Sequence, residues 1–430
     1  MPISNNKILI ITYYWPPAGG PGVQRWLKFS KYLPDFGVET HIYTAENAHY
    51  SLVDETLAKD INPKLKIVKK PIWEPYSIAN LFNKNNRKHS AGFFEENKKQ
   101  NLKSRISLFI RGNFFIPDAR KFWIKPSAKF LEKYIIEKSI DTIITTGPPH
   151  SAHLIGMKLK QKLKIQWLAD FRDPWTNIYY YKHLHLTKWA DTIHHNLEQK
   201  VLNEADKIIS VNEEYRENYQ KMTTKSVFCI TNGYDSEDIP ENVELDSKFS
   251  LAYIGAMFQD RNPEILWKVL QELSLELKGF SNDLSIKLIG KIDDLVFDQI
   301  KKYGLTHILD FKGYLPHNEA VKEQVKSQVL LIITSNEADK KGNIPGKLFE
   351  YLASKRPIIS FGPEDSQIEK IILEADAGKH FLFDEKTDLK KHISNLYQMY
   401  LQNDLKIYSK NIEKFHRKNL TEKLVEIIKL

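Results

Sequence analysis

Short apolar runs and amphipathic helical stretches alternate twice along this chain, and that double alternation constrains the fold more than any other feature. In the first half, KILIIT (7–12), THIYT (40–44), DTIITT (141–146), IQWLA (165–169) and KIISV (207–211) read as strands rich in β-branched residues. Helical patterns separate them, among them VQRWLKFSKYL (23–33), SAHLIGMKLKQKL (151–163) and the stretch from Thr187 to Glu204. Strands that are apolar throughout and separated by helices predict a parallel sheet covered on both faces, because right-handed crossovers place helices there. After a turn-forming segment at 232–248 the alternation resumes with SLAYIG (250–255), LSIKLIG (284–290), ILDFKG (308–313) and QVLLIIT (328–334), and it ends at PIISF (357–361). The expectation is an α/β protein of two doubly wound, Rossmann-like domains facing a cleft. The first covers 1–238 with an insertion at about 70–125, and the second covers 249–404. A closing helix over 405–430 is expected to pack toward the first domain.

A chain of 430 residues exceeds one ordinary core, which agrees with two domains. No apolar run approaches the roughly 18 residues of a membrane span, and the first residues lead straight into a strand without a signal-peptide pattern. The single cysteine, Cys229 in SVFCI, reads as a buried core thiol, and a reducing cytoplasm fits it. The formal charge of +9 is concentrated in residues 81–140, which hold fourteen Lys and Arg against five Asp and Glu. Phe93, Phe94, Phe109, Phe114, Phe115, Phe122 and Trp123 are interleaved there. That composition suits an anionic membrane surface. A solvated insertion and a nucleic-acid surface are the competing readings.

The segment NIPGKLFEYLASKRPIIS (343–360) is the sharpest local signal. Pro345 suits a first helical turn, and the helix should run to about Lys355. Lys347 then sits at the helix start, where the macrodipole disfavours a cation and an anion beside it would reverse that penalty. The amides of Gly346 and Lys347 with the Lys347 ammonium could hold a phosphate, and the Glu350 carboxylate could accept hydrogen bonds from paired ribose hydroxyls. The competing reading is an amphipathic helix that packs Leu348, Phe349 and Leu352 and leaves its charges in solvent. Near the amino terminus, YYWPPAGGPGVQRW carries Gly19, Gly20 and Gly22 in a loop before a helix, but Arg25 stands where the dinucleotide fingerprint needs its third glycine. GPPHSAHLIG and LADFRDPW follow two strands and bring His150, Asp170, Arg172 and Asp173 to one carboxyl edge. Arg172 and Asp173 could instead pair with each other. His183, His185, His194 and His195 lack a carboxylate or cysteine at ligand spacing, so no structural metal is expected.

Together, GPPHSAHLIG, LADFRDPW, ITNGYD, AYIGAMFQDRNPEIL and PGKLFEYLASKRPII resemble the family 4 (group 1) glycosyltransferases of the GT-B fold, in order and spacing over nearly the whole chain. The resemblance implies a retaining transfer from a nucleotide-diphosphate sugar, UDP- or GDP-linked, without a required metal or other cofactor. It places the donor on the second domain and a glycan or lipid-linked acceptor on the first. Carried over, Glu350 matches the carboxylate that holds the ribose, and Arg261 matches the basic residue after the first strand of the second domain. Gly19 and Gly20 match the loop over the diphosphate, and His150 the histidine near the transferred sugar. Gly255, Pro345, Gly346 and Lys347 complete the expected donor set, with Arg261, Lys347 and His150 in catalytic roles. Gln24, His150, Asp170, Arg172 and Asp173 form the expected acceptor side.

Two positions depart from the family pattern: Ala256 stands where the family has arginine, and Gly342 where it has glutamate, so Lys347 is expected to supply the missing charge. The activity expected from this resemblance is cell-surface polysaccharide synthesis at the cytoplasmic side of a bacterial membrane, with no nucleic acid as partner. A nucleotide-sugar epimerase of the same fold is the alternative enzyme, and a non-catalytic nucleic-acid-binding protein the alternative outside enzymes.

Overall fold

The structure is a computed structural model that describes residues 6–74, 102–178, 181–337, 341–405 and 409–430. The chain divides into two compact units, one of Met1–Thr231 with Leu420–Leu430 and one of Asn232–Asn419. Each unit is built on one parallel sheet, in agreement with the α/β, doubly wound expectation.

In the first unit the strands are β1 (Lys7–Ile11), β2 (Glu39–Ala45), β3 (Lys66–Lys70), β4 (Thr142–Gly147), β5 (Gln166–Phe171), β6 (Lys207–Ser210) and β7 (Ser226–Cys229). They lie in the order β3-β2-β1-β4-β5-β6-β7. The helices are α1 (Pro21–Tyr32), α2 (Leu102–Phe114), α3 (Lys121–Lys138), α4 (Ser151–Lys160), α5 (Lys188–Glu204) and α6 (Glu213–Met222). Period-two alternation explains why strand β1 is apolar throughout: Leu9 and Ile11 enter one core and Ile8 and Ile10 the opposite one. Thr187 and Asn212 cap α5 and α6 through their side chains, which sets both helix starts. Cys229 is buried, and burial pushes its thiol up to about 12, so it is inert at neutral pH.

The second unit has strands β8 (Phe249–Ile254), β9 (Leu284–Ile289), β10 (Leu309–Gly313), β11 (Val329–Ile333), β12 (Ile358–Phe361) and β13 (Gly378–Phe381), in the order β10-β9-β8-β11-β12-β13. Its helices are α7 (Glu264–Glu276), α8 (Phe280–Asp283), α9 (Asp294–Lys302), α10 (His317–Lys326), α11 (Lys347–Ala353), α12 (Gln367–Glu374) and α13 (Lys386–Leu401). Leu251 and Tyr253 face one core, while Ala252, Leu330 and Ile332 meet Leu348, Phe349, Tyr351 and Leu352 of α11 in the other. The closing helix, α14 (Arg417–Lys429), places Leu420, Leu424, Val425 and Ile427 in the first unit's core with Ile8 and Ile10.

Three strands escaped the sequence pattern. β3 reads KIVKK and is largely exposed, β13 reads GKHF, and β7 is four residues long. β3, β7 and β13 are edge strands, where fewer side chains need to be apolar. The alternation therefore does not end at PIISF. The closing helix begins at Arg417 rather than near 405, and Asn411 takes left-handed backbone at φ 55° ahead of it.

Candidate functional site

In a doubly wound sheet, loops diverge at the carboxyl edge wherever the strand order reverses, and that divergence opens a crevice. The reversal lies between β1 and β4 in the first unit and between β8 and β11 in the second. The loop after β8 carries Gly255 and Arg261, and the loop after β11 leads to Pro345, Gly346, Lys347 and Glu350. All six therefore belong to the switch point of the second unit.

Helix α11 is shorter than expected, with Gly346 as its N-cap and only seven helical residues from Lys347 to Ala353. So short a helix has little macrodipole, and any attraction for an anion must come from side-chain charge. The Lys347 ammonium donates to the Ile254 carbonyl at 2.8 Å and lies 3.6 Å from the Tyr253 ring centroid. Withdrawal from water, with the Arg261 charge nearby, holds its pKa well below the ordinary lysine value. Among the described residues no carboxylate pairs with it.

Arg261 sits on a short 3₁₀ turn, a quarter exposed, with the Asp260 carboxylate 3.8 Å from its Nε. Burial raises the Tyr253 hydroxyl to about 12 against the opposing Arg261 charge. Since Arg261 acts on both Tyr253 and Lys347, the guanidinium and the ammonium occupy one neighbourhood. Gly255 lies beneath them at φ +131°, and a Cβ there would come 3.3 Å from the Lys347 Nζ, so glycine lets the ammonium approach the backbone.

Glu350 points elsewhere on α11. Its Oε1 accepts from His317 Nε2 at 2.9 Å, and its backbone carbonyl accepts from Gln324 Nε2 at 2.7 Å. His317 is a contact that sequence reading missed, since no local spacing connects it to Glu350. The only hint was its place just after a strand and a proline, at the start of a helix.

In the first unit, Gly19 and Gly20 follow β1. The Gly19 amide donates to Leu52 O at 2.9 Å, and Gly20 takes φ +84° as N-cap of α1. Gln24 is half-buried on α1. His150 occupies the N-cap position of α4 without a side-chain capping bond, is 8% exposed and stacks on Trp175 at 4.5 Å. Burial holds it neutral, with His153 and His194 adding to the effect. His153 accompanies it: its Nδ1 meets Thr145 Oγ1 at 2.8 Å, and burial lowers its pKa to about 3. Gly147 lies between the two imidazoles, where a Cβ would stand 2.5 Å from His153 Nε2.

Asp170 departs from its expected place among groups facing a ligand. Its carboxylate is 0% exposed and accepts from Arg25 Nη2 at 2.8 Å, Trp26 Nε1 at 2.7 Å and Thr146 Oγ1 at 2.8 Å. Burial alone would raise its pKa, but the Arg25 charge and these donors outweigh burial and hold it below the ordinary value. The Arg172 guanidinium donates to the carbonyls of Gly22 and Pro148, fastening the loop after β4 to the start of α1. Asp173 is half-buried, and burial raises its pKa against the opposing Arg172 charge. Trp175 Nε1 donates to His194 Nδ1 at 3.1 Å. Among the described residues no three or more His, Cys, Asp or Glu side chains are grouped to hold a metal ion.

Both sheets and their switch points define a GT-B fold of two Rossmann-like units. Similar solved structures include sucrose-phosphate synthase from Thermosynechococcus elongatus, with 14% identity, coverage of 98% of each chain and a TM-score of 0.62. A TarM variant from S. aureus, solved with fondaparinux, alpha-GlcNAc-glycerol and UDP, is similar at 12% identity over 99% of this chain and 100% of that one, with a TM-score of 0.60. A protein described as a UDP-N-acetylglucosamine 2-epimerase, from Listeria monocytogenes, is similar at 11% identity over 98% and 95%, with a TM-score of 0.56. No protein-family model matches the chain, and no curated protein matches it in sequence.

Proposed function

We propose that this protein is a retaining glycosyltransferase of the family 4 kind, which moves a sugar from a UDP- or GDP-linked donor to a glycan or lipid-linked acceptor. The observation that carries this reading is the pairing of Lys347 and Arg261 at the second unit's switch point, two cations in one neighbourhood with Lys347 lacking a carboxylate partner among the described residues. A diphosphate supplies the missing negative charge. Ribose hydroxyls reach Glu350, and Gly255 keeps the floor of the site open. The first unit receives the acceptor along Gln24, His150, Arg172 and Asp173.

In the reaction the bond between the anomeric carbon and the leaving diphosphate oxygen breaks as the acceptor oxygen bonds on the same face. The acceptor proton passes to the leaving oxygen. Charge develops on the diphosphate in the transition state, so Lys347 and Arg261 are the groups expected to lower the barrier. His150, held neutral by burial, suits a hydrogen bond to a sugar hydroxyl rather than an ionic role.

The test is a screen of nucleotide sugars by thermal stabilisation, followed by product analysis with and without acceptors. A true donor at 100 times its Kd adds about 2.7 kcal/mol of stability. Incubation with the donor alone separates the epimerase alternative, which one similar structure represents, because an epimerase makes a new nucleotide sugar without any acceptor. Absence of stabilisation by every UDP- and GDP-sugar would remove the proposal.

Acceptor supply from a membrane fits the surface near α2. Ile106, Phe109, Ile110 and Phe114 are exposed there, and Trp73 and Phe122, also exposed, meet edge to face at 4.6 Å. Lys121 lies over Phe115 and Phe122 at 5.3 and 5.2 Å. Ile106, Ile110 and Phe114 share a face of α2 by their spacing of four. Apolar anchors beside a lysine suit peripheral attachment to anionic lipid at the cytoplasmic face, although Phe93 and Phe94 of the basic segment lie outside the described residues. Among the described residues no helix is long and apolar enough to cross a membrane. The double variant Ile110→Glu/Phe114→Glu is expected to lower sedimentation with phosphatidylglycerol vesicles by about tenfold while leaving thermal stability unchanged. Parent and variant sedimenting alike would count against this surface.

A further inference from the structure

We infer that His317 is the positioning residue for the ribose-binding carboxylate of Glu350, an assignment that rests on the donor-site reading above. An ionised carboxylate can only accept, so the 2.9 Å contact has His317 Nε2–H donating to Glu350 Oε1. That bond fixes the plane of the carboxylate and leaves its second oxygen to receive a ligand. The grip is double. Gln324, seven residues after His317 and therefore on the same face of α10, donates from Nε2 to the Glu350 backbone carbonyl at 2.7 Å. One helix thus holds both the backbone and the side chain of a single residue on α11.

An ion pair kept only for stability would not need this. His317 and Glu350 are each about a quarter exposed, and exposed pairs contribute little. A vicinal diol, by contrast, is recognised only when the accepting oxygens stand in the right plane before it arrives. A carboxylate held by a short imidazole meets that requirement where a freely rotating one does not. His317 acts through Glu350, so its effect must vanish when the ribose hydroxyls are removed.

The experiment measures calorimetric Kd values of the full chain for UDP, GDP and their 2′,3′-dideoxy forms, in wild type, His317→Ala, His317→Gln and Glu350→Gln. The expected result for His317→Ala is about tenfold weaker binding of the ribonucleotide and less than about twofold change for the dideoxy form. His317→Gln, whose amide can still donate, should recover most of the loss, and Glu350→Gln should show the same dependence on the hydroxyls. Equal weakening of both forms by His317→Ala, or no weakening of either, overturns the assignment. A wild type that binds the diphosphate but does not distinguish the two forms overturns it as well. If wild type binds neither UDP nor GDP, the donor-site reading itself fails and takes this inference with it.

Discussion

Replacing Lys347 by methionine should leave a protein that turns over about a hundredfold more slowly yet melts no more than about 2 °C below its parent. The two halves of that result have one cause. In the free protein the ammonium rests on the Ile254 carbonyl and the Tyr253 ring, partly withdrawn from water, with Arg261 as a like-charged neighbour. Such a group contributes little to folding, because the hydrogen bond and the ring contact offset a desolvation penalty that no carboxylate relieves. Once a diphosphate arrives, the same ammonium faces a compensating charge, and its removal should cost about 3 kcal/mol in the transition state.

The pH dependence has a definite sign. In the unfolded chain Lys347 keeps its ordinary pKa, whereas burial beside the Arg261 charge lowers it in the folded state. The unfolded state therefore binds more protons between the depressed folded value and the ordinary one, and stability rises with pH across that window. Below the folded value the penalty is fully present. Lys347→Met should remove this rise from a series of melting curves. At a pH between the lowered and the ordinary lysine value, diphosphate binding should take up a proton in wild type and not in the variant, as measured by calorimetry in two buffers of different ionisation enthalpy. A variant with parental turnover would end the catalytic assignment of Lys347, and equal proton uptake in both proteins would end the account of its charge.

The parts of this molecule that could be read from its residues are those enforced by burial. Central strands such as β1 and β11 are covered on both faces, so every buried side chain in them is apolar and the run announces itself. Edge strands escape for the converse reason: Lys66–Lys70 alternates no apolar face, and Gly378–Phe381 keeps only its last two residues buried. Lys347 was read from the helix start that Pro345 marks and Arg261 from the family resemblance, and both lie after strands at the second unit's switch point. His317 was not legible, because the contact with Glu350 spans 33 residues and depends on how α10 lies against α11. Asp170 was misread from its place at a strand end. Its position at the end of a strand does suggest a ligand, but α1 brings Arg25 and Trp26 over it across 145 and 144 residues, a distance no local pattern encodes.

That misreading leads to the second large effect. Asp170→Asn should weaken the first unit by about 3–5 kcal/mol, because the Arg25 guanidinium, 1% exposed, would be left buried opposite a neutral amide. Two further donors, Trp26 Nε1 and Thr146 Oγ1, would lose a charged acceptor. Hydrogen exchange of the β4 and β5 amides reads the loss where it occurs, as a fall in their opening free energy, while amides of β8 and β11 should stay unchanged. The double variant Arg25→Met/Asp170→Leu should recover at least half of the loss, since removing both charges leaves neither one unpaired. Asp170 keeps a lowered pKa in the fold, so its contribution is present above the ordinary aspartate value and disappears as pH falls through the lower folded one. An opening free energy that falls by less than about 1 kcal/mol in Asp170→Asn would show that the pair does not hold the sheet edge. The same result would restore Asp170 to the candidate acceptor contacts. A large fall means that inactivity of Asp170 variants reports a lost scaffold beneath Gly19, Gly20 and Arg172, not a lost hydrogen bond to substrate.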